Sequence, residues 1–340
     1  MSKYVVAVVG ATGLVGGEMI KILEQRKFPV KQLVPLATGK KEKRVVRFKG
    51  ASITVKETTD ASFNGVDLAL FAGGGSASQE FGWEAVRRGA VVVDNSSCFR
   101  MRADVPLIVP EVNIKHLKRH QGLIANPNCS TIQMCVALKP IYLKLGIKRV
   151  VVSSYQSVSG TGKAAMEELT THTKAVLAGH KTKPAVYPKE IAFNVLPQID
   201  MFTSNGYTKE EMKMINETRK IFSDPNMKIS ATCVRVPVYV GHAESVNVET
   251  LRPLSVDSLR KLMEKTPGLI VVDDPDPVEG DEFRRTYPLS IDTTGKDDVF
   301  IGRLRKDLSV ENGFDMWVVA DNLRKGAALN AVQIAEFIFT

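Results

Sequence analysis

The chain is expected to fold as an α/β protein in two parts: a doubly wound parallel sheet, then an α+β domain on a mainly antiparallel sheet. Three observations predict this. The N-terminal third alternates short apolar β-branched runs with helical patterns and sets glycine at the ends of the runs. After Asn126 the strand candidates lengthen and begin to alternate apolar with polar residues. A length of 340 residues also exceeds what one compact core accommodates.

The elements follow in order. Tyr4 to Val9 is a nearly all-apolar run, the look of a buried parallel strand. A glycine turn follows, Gly10-Ala11-Thr12-Gly13-Leu14-Val15-Gly16, then helical spacing through Gln25. Further strands are expected at Gln32 to Ala37, at Val66 to Phe71 before Gly73-Gly74-Gly75, and at Val91 to Asp94, with a helix near Glu80 to Arg88. Asn126-Pro127-Asn128-Cys129-Ser130 reads as a turn that opens a helix over Thr131 to Leu145. Strands are expected at Arg149 to Tyr155, Ala231 to Pro237, Glu244 to Leu251 and Val299 to Leu304, with a helix-rich insertion from Lys163 to Phe222. A last amphipathic helix, Arg324 to Phe339, is capped by Asp321 or Asn322 and is expected to return to the first domain. The expected domains are 1–126, completed by 322–340, and 127–321.

Composition narrows the function. Apolar residues make up 44% and charged residues 24%, ordinary for a soluble globular protein, and no apolar run approaches the ~18 residues of a membrane span. The N-terminus has no signal-peptide pattern, so the cytoplasm is expected. Cys98, Cys129, Cys135 and Cys233 show no CxxC spacing, and reduced thiols are the simplest reading. The net charge of +9 fits anionic small ligands better than nucleic acid, because no aromatics interleave with the one dense basic cluster, residues 40–44. His116 and His120 stand at i,i+4 but lack a third ligand, so no metal is expected.

Four motifs carry chemistry. Gly10, Gly13 and Gly16 lie between a strand and a helix, where small residues and a helix N-terminus suit a pyrophosphate. No carboxylate lies between Gln32 and Lys41, where an NAD site would hold a ribose hydroxyl. Thr38, Lys40 and Lys41 stand there instead, which favours a 2′-phosphate and NADP over a merely solvated loop. Cys129 stands at or just before the first turn of a helix, after a Pro-Asn turn, where aligned amides stabilise a thiolate; the plainer alternative is a small buried thiol. Arg235 and His242 share one segment, a natural pair for a carboxylate and a proton, with Gly241 giving the histidine room.

These residues resemble the bacterial aspartate-semialdehyde dehydrogenases over nearly the whole chain. The marks are residues 10–16, Asp94-Asn95-Ser96-Ser97 with Arg100, Val109 to Asn113, Asn126 to Thr131, Tyr155 to Gly160, Phe193 to Asp200, and Arg235 with His242. The resemblance implies a Rossmann-type cofactor domain and a catalytic and dimerisation domain. It implies reversible, NADP-dependent reductive dephosphorylation of L-aspartyl 4-phosphate to L-aspartate 4-semialdehyde, in the biosynthesis of lysine through diaminopimelate, threonine, methionine and isoleucine. The roles it implies are Cys129 as acyl-enzyme nucleophile, His242 as acid/base and Gln156 as orienting group. Arg235 would clamp the substrate carboxylate, Glu210 or its neighbour Glu211 would meet the amino group, and Arg100 and Lys213 would bind phosphate. Gly10, Thr12, Gly13, Leu14, Val15, Gly16, Gly73, Ser159, Gly160 and Asn322 would touch NADP, with Thr38, Lys40 and Lys41. A homodimer is implied, with no nucleic acid or membrane partner. The alternatives are an N-acetylglutamyl-phosphate reductase, which tends to carry glycine where this chain has Asn128, and a non-catalytic relative with the same fold.

Overall fold

The computed structural model describes residues 3–39, 44–274 and 286–340. The chain divides into two compact units, Met1–Asn128 with Gly326–Thr340, and Cys129–Lys325.

In the first unit, β1 (Tyr4–Val9) runs into the glycine turn and α1 (Leu14–Gln25). β2 (Val30–Ala37), a short hairpin of β3 (Val45–Phe48) and β4 (Ala51–Thr54), β5 (Lys56–Glu57) and β6 (Leu68–Phe71) come next. Then come α2 (Gly75–Arg87), β7 (Val91–Asp94), the single turn α3 (Pro110–Asn113) and β8 (Leu123–Ala125). The sheet order is β5-β2-β1-β6-β7-β8 and every pair is parallel. That topology explains the continuous apolar runs: Val6 to Val9 and Leu68 to Phe71 are wholly buried, since a parallel sheet is covered on both faces. Order reverses about β1, so its C-terminal end, where the glycine turn lies, is the position at which doubly wound sheets bind ligands.

The second unit starts on α4 (Cys129–Leu145). Its next elements are β9 (Ile147–Gln156), α5 (Lys163–Leu177), α6 (Lys209–Phe222), β10 (Lys228–Arg235), β11 (His242–Thr250), α7 (Val256–Glu264) and β12 (Leu269–Val271). The unit closes with α8 (Ser290–Thr293), β13 (Val299–Lys306) and β14 (Gly313–Ala320). Its sheet, β10-β9-β11-β14-β13-β12, is antiparallel at the centre and parallel in the two outer pairs, β10 with β9 and β12 with β13. It is therefore a mixed sheet. One face packs on α4 and α6; on β11 the alternation buries His242, Glu244, Val246 and Val248.

Asp321 accepts from the amides of Leu323 and Arg324, so it rather than Asn322 caps the C-terminal helical segment. That segment is less uniform than expected. Arg324–Ala328 winds as a wide π turn, and α9 proper is Leu329–Phe339, whose inner face joins the core of the first unit.

Candidate active site

Glycine is required at the turn after β1 for two separate reasons. Gly10 has φ +81°, and a Cβ there would lie 2.7 Å from the backbone of Ala72 and Gly73. A Cβ on Gly16 would stand 2.8 Å from the Gly10 carbonyl carbon. Gly13, the N-cap of α1, offers no side chain to the first helical amides, and the first turn holds no acid. Leu14 and Val15 begin that helix, so their N–H groups are orphan donors suited to an anion. Gly73 packs beside Gly10, 3.3 Å from Val9 by its would-be Cβ. Thr12 and Thr38 are exposed, and Thr12 Oγ1 accepts from Arg44 at 3.4 Å. Lys40 and Lys41 lie outside the described residues. Arg44, unselected by sequence reasoning, is thus the described cation at this turn; its membership of the basic cluster was the available signal.

Arg100 sits on the loop after β7, and Asp94 builds that loop. Its carboxylate accepts from Ser78 Oγ at 2.6 Å and from Ser96 through both amide and hydroxyl, at 3.0 and 2.7 Å. The buried Arg100 donates to the Asn95 carbonyl at 2.9 Å. Asn126 ties Asn95 to Asn330 of α9. Arg102 adds no net charge here, because it forms a bidentate pair with Asp104.

In the second unit Cys129 is the first residue of α4, partly exposed, with no acid in its first turn. Cys135 and Cys233 differ from it: both are buried, and burial pushes their thiols far above the usual range. Cys98 is pushed up more mildly, by burial and then by Asp94. All four cysteines are thiols.

Three sequence-selected side chains meet where β9 and β10 end and β11 begins. Gln156 Nε2 donates to Glu210 Oε1 at 3.2 Å and to Ser154 Oγ at 3.2 Å. Arg235, 5% exposed, donates to the Ser157 carbonyl at 2.7 Å and lies 5.9 Å from the Tyr187 ring centre. Its Nε has no partner, and among the described residues no carboxylate pairs with it. A buried cation with no counter-charge is costly unless a ligand supplies one.

His242 is wholly buried, and its tautomer is set by its neighbours. The Ser157 amide donates to Nδ1 at 3.0 Å, so Nδ1 carries a lone pair and the neutral ring holds its proton on Nε2. Nε2 has no partner. Burial, then the Arg235 charge, hold the pKa well below histidine's usual value. Gly160 leaves space beside this pair: a Cβ there would stand 3.0 Å from Arg235 Nη1 and 3.4 Å from His242 Nε2.

The neighbouring glutamates of α6 have separate partners. Glu211 closes a capping box with Thr208 and accepts from the Cys233 amide at 3.0 Å, so backbone N–H groups engage both its oxygens. Glu210 instead joins Gln156 to Lys213, whose ammonium is 3.2 Å from Glu210 and 3.0 Å from Asp200. These carboxylates hold the Lys213 pKa above its ordinary value against burial. Asn322 is committed within its own unit: Oδ1 accepts from Ser157, Ser159 and the Gly241 amide. Gly241 has φ +92°, and a Cβ would press on Ser290. Tyr187, Gln133 and Glu244 carry no motif of their own in the sequence, and Ser157 lies within the Tyr155 to Gly160 motif without a role assigned to it.

A parallel sheet opened by a glycine cradle, joined to a unit with a helix-initial cysteine and a buried histidine-arginine pair, defines a class: two-domain dinucleotide-binding oxidoreductases. Residues 5–120 match the semialdehyde dehydrogenase NAD binding domain, and residues 138–325 the semialdehyde dehydrogenase dimerisation domain. Aspartate-semialdehyde dehydrogenases of Aquifex aeolicus and Bacillus subtilis are 54% and 50% identical to the chain. The alignments cover 98% of both chains in the first case, and 97% of this chain and 96% of the relative in the second. The crystal structure of aspartate semialdehyde dehydrogenase II complexed with ASA from Vibrio cholerae superposes with a TM-score of 0.94. It is 46% identical, covering 99% of this chain and 98% of that one. The chain belongs to the aspartate-semialdehyde dehydrogenase family.

Proposed function

We propose that the protein reduces L-aspartyl 4-phosphate to L-aspartate 4-semialdehyde, reversibly, releasing phosphate and consuming NADPH, by way of a thioester on Cys129. This is a step toward lysine, threonine, methionine and isoleucine. Family membership supports the reaction; the buried Arg235, lacking a carboxylate beside a neutral His242, is the observation that carries the assignment of roles.

The turn at Gly10, Gly13 and Gly16 fits a dinucleotide pyrophosphate, since its glycines let the backbone close tightly and α1 begins with no side-chain cap and no acid in its first turn. Thr12, Thr38, Gly73, Leu14 and Val15 line that end of the sheet, and Ser159, Gly160 and Asn322 are proposed further contacts. When bound, the nicotinamide cofactor supplies the hydride that reduces the thioester. The chain's own residues do the rest. The Cys129 thiolate attacks the acyl carbon, the C–S bond forms, and the C–O bond to phosphate breaks. Arg100 and Lys213 are assigned to the leaving phosphate. Arg235 holds the α-carboxylate by its guanidinium fork, and Glu210, rather than the structurally committed Glu211, meets the amino group. Gln156 orients the acyl group. His242 donates from Nε2 to the oxygen as it gains charge, an oxyanion-stabilising role that a neutral ring performs without becoming imidazolium.

A homodimer is proposed. The dimerisation-domain match supports it, as does the second sheet face of the unit, where Tyr155 and Trp317 pair with ring centres 5.4 Å apart beside exposed Leu289 and Ile291. Among the described residues no helix is long and apolar enough to cross a membrane, and cytoplasmic placement is proposed.

The test is NADP reduction with aspartate semialdehyde and phosphate. Cys129→Ala should lower kcat by on the order of 10⁴-fold or more while NADP binding persists. Substantial turnover by a clean preparation of that variant would sink the covalent route. N-acetylglutamate semialdehyde as the better substrate would favour the other reductase.

A further inference from the structure

Beneath His242 the buried face of β11 carries a carboxyl group that the reaction does not use. Glu244 is 0% exposed, and neither of its oxygens closes a hydrogen bond of good geometry. Among the described residues no cation pairs with it. Its polar neighbour is the amide of Gln133, itself 0% exposed. Gln133 stands four residues after Cys129, one helical turn along α4 and on the same side of the helix. Gln133 Nε2 donates to the His242 carbonyl at 3.4 Å, while Gln133 Oε1 has no donor.

The inventory is one-sided. An ionised Glu244 would add an acceptor to a place already holding an unmatched acceptor, and a charge to a place with no cation. One proton on the carboxyl supplies the donor that Gln133 Oε1 lacks. Resting on the proposed function, we infer that Glu244 is kept as a neutral carboxylic acid. Its O–H donates to Gln133 and thereby locks the strand that begins at His242 to the helix that begins at Cys129. It is a positioning residue: it touches neither substrate nor cofactor.

The surroundings agree. Burial raises the Glu244 pKa well above the carboxylate range, and only the Gln133 amide opposes the shift. Its charge would bear on the Cys135 thiol from α4 and the Cys233 thiol from β10, both held protonated by burial. Carboxylates of α6 bear on those same thiols, Glu217 on Cys135 and Glu210 and Glu211 on Cys233. Of these, Glu210 is paired with the Lys213 ammonium at 3.2 Å, and the Arg235 charge bears on His242, which is neutral; neither cation pairs with Glu244. Because the folded pKa is raised, this group stabilises the fold below its unfolded value. That contribution is lost as pH rises through the folded value.

The test reads the proton directly and the lock separately. The infrared difference spectrum between wild type and Glu244→Gln at pH 7.5 should show a carboxylic-acid C=O stretch present only in the wild type. The same band, followed in wild-type protein with ¹³C-labelled glutamate, should vanish only at alkaline pH, and this needs no variant to fold. A carboxylate signature at neutral pH would overturn the inference. In kinetics Glu244→Gln, whose amide N–H replaces the O–H, should keep near-wild-type kcat at pH 7 and lose the alkaline fall of the wild type. Glu244→Leu should lower kcat by about 10- to 100-fold with KM little changed, the cost typical of sub-ångström to 1 Å misplacement. Equal damage in the two variants, or full activity of the leucine variant, would also overturn it. The infrared result does not depend on turnover, so it stands or falls apart from the role of Cys129.

Discussion

On the proposed function, the two units would hold their ligands by different means. In the first, side chains are withdrawn: Gly10 and Gly16 let backbone pack on backbone where a methyl group would collide, and α1 begins without a side-chain cap. In the second, side chains are supplied, and they are buried with valences unmet, as at Arg235 Nε and His242 Nε2. A backbone cradle tolerates any ligand with the right phosphate shape. A buried cation beside a neutral imidazole demands a particular charge at a particular place. The difference teaches where affinity and where selectivity are stored, and substitutions in the two units should fail in different ways.

The largest expected contrast lies inside the second unit. Arg235→Leu should lower kcat/KM by about 10²- to 10³-fold with a marked rise in KM, because the substrate carboxylate loses its partner. His242→Asn should act mainly on kcat, by about 10²- to 10⁴-fold. The pH dependence sharpens the point. The folded pKa of His242 is depressed, so its favourable contribution is present above the unfolded value of about 6.5 and is lost as pH falls through the lower folded value. The pH profile of kcat should therefore show no His242-dependent break near 6.5. Such a break, absent from the asparagine variant, would mean that an imidazolium takes part after all.

Neighbouring glutamates give the next contrast. Glu211→Gln removes the charge from a capping box and from the Cys233 amide, and should lower stability by about 1–2 kcal/mol with modest kinetic effect. Glu210→Gln should leave the melting temperature nearly unchanged and raise the KM for aspartate semialdehyde. Thermal melts and steady-state kinetics on both variants separate the roles, and the reverse pattern would exchange them.

Much of this was legible in advance, and the reason is locality. The first-unit strands announce themselves because a parallel strand is apolar throughout, and the glycine turn because its spacing spans seven residues. The hairpin of β3 and β4 passed unread because Lys49-Gly50 makes its turn, with φ of 49° and 78°, where Asn-Gly would have signalled it. β14 passed unread although it pairs with both β11 and β13 at the centre of its sheet. Ser157 sets the tautomer of a histidine 85 residues away, and Gln133 faces Glu244 across more than a hundred. Only the fold brings such partners together, so no motif could announce them. Glu210 and Glu211 were indistinguishable in sequence for the same reason: their difference lies entirely in what they bond.

In the first unit the damage should be steric. Gly16→Ala would force its methyl group against the Gly10 backbone, which cannot swing aside as a flexible side chain could. Overpacking of this kind costs about 1–3 kcal/mol. The expected result is a lower melting temperature and weaker NADP binding, with the rate of Cys129 alkylation by iodoacetamide unchanged. Gly17→Ala is the control, since its would-be Cβ meets nothing within 4 Å. Equal damage in both would show that the loss reflects helix α1 in general and not the cradle.

The last contrast concerns which dinucleotide the cradle prefers, a feature of the first unit that depends on charge. No acid lies between Gln32 and Lys41 to hold a ribose hydroxyl, whereas Thr38, Lys40 and Lys41 lie in sequence there, and Arg44 reaches Thr12 at 3.4 Å. Charge-assisted contacts to a 2′-phosphate from such residues should give NADP roughly a 30- to 1000-fold preference over NAD. The contacts are exposed, so the preference should shrink as salt rises, with a Debye length of about 10 Å at 0.1 M. Two variants divide the work: Lys40→Ala with Lys41→Ala, and Arg44→Ala. Each should lower kcat/KM for NADP, leave the value for NAD alone, and flatten the salt dependence. If the lysine pair carries the preference, Arg44→Ala acts weakly and the guanidinium serves only to brace Thr12. If Arg44 carries it, the order reverses. A preference untouched by all three changes would place recognition of the 2′-phosphate on Thr38 and the backbone, so that the first unit selects its cofactor, as it holds the pyrophosphate, by shape alone.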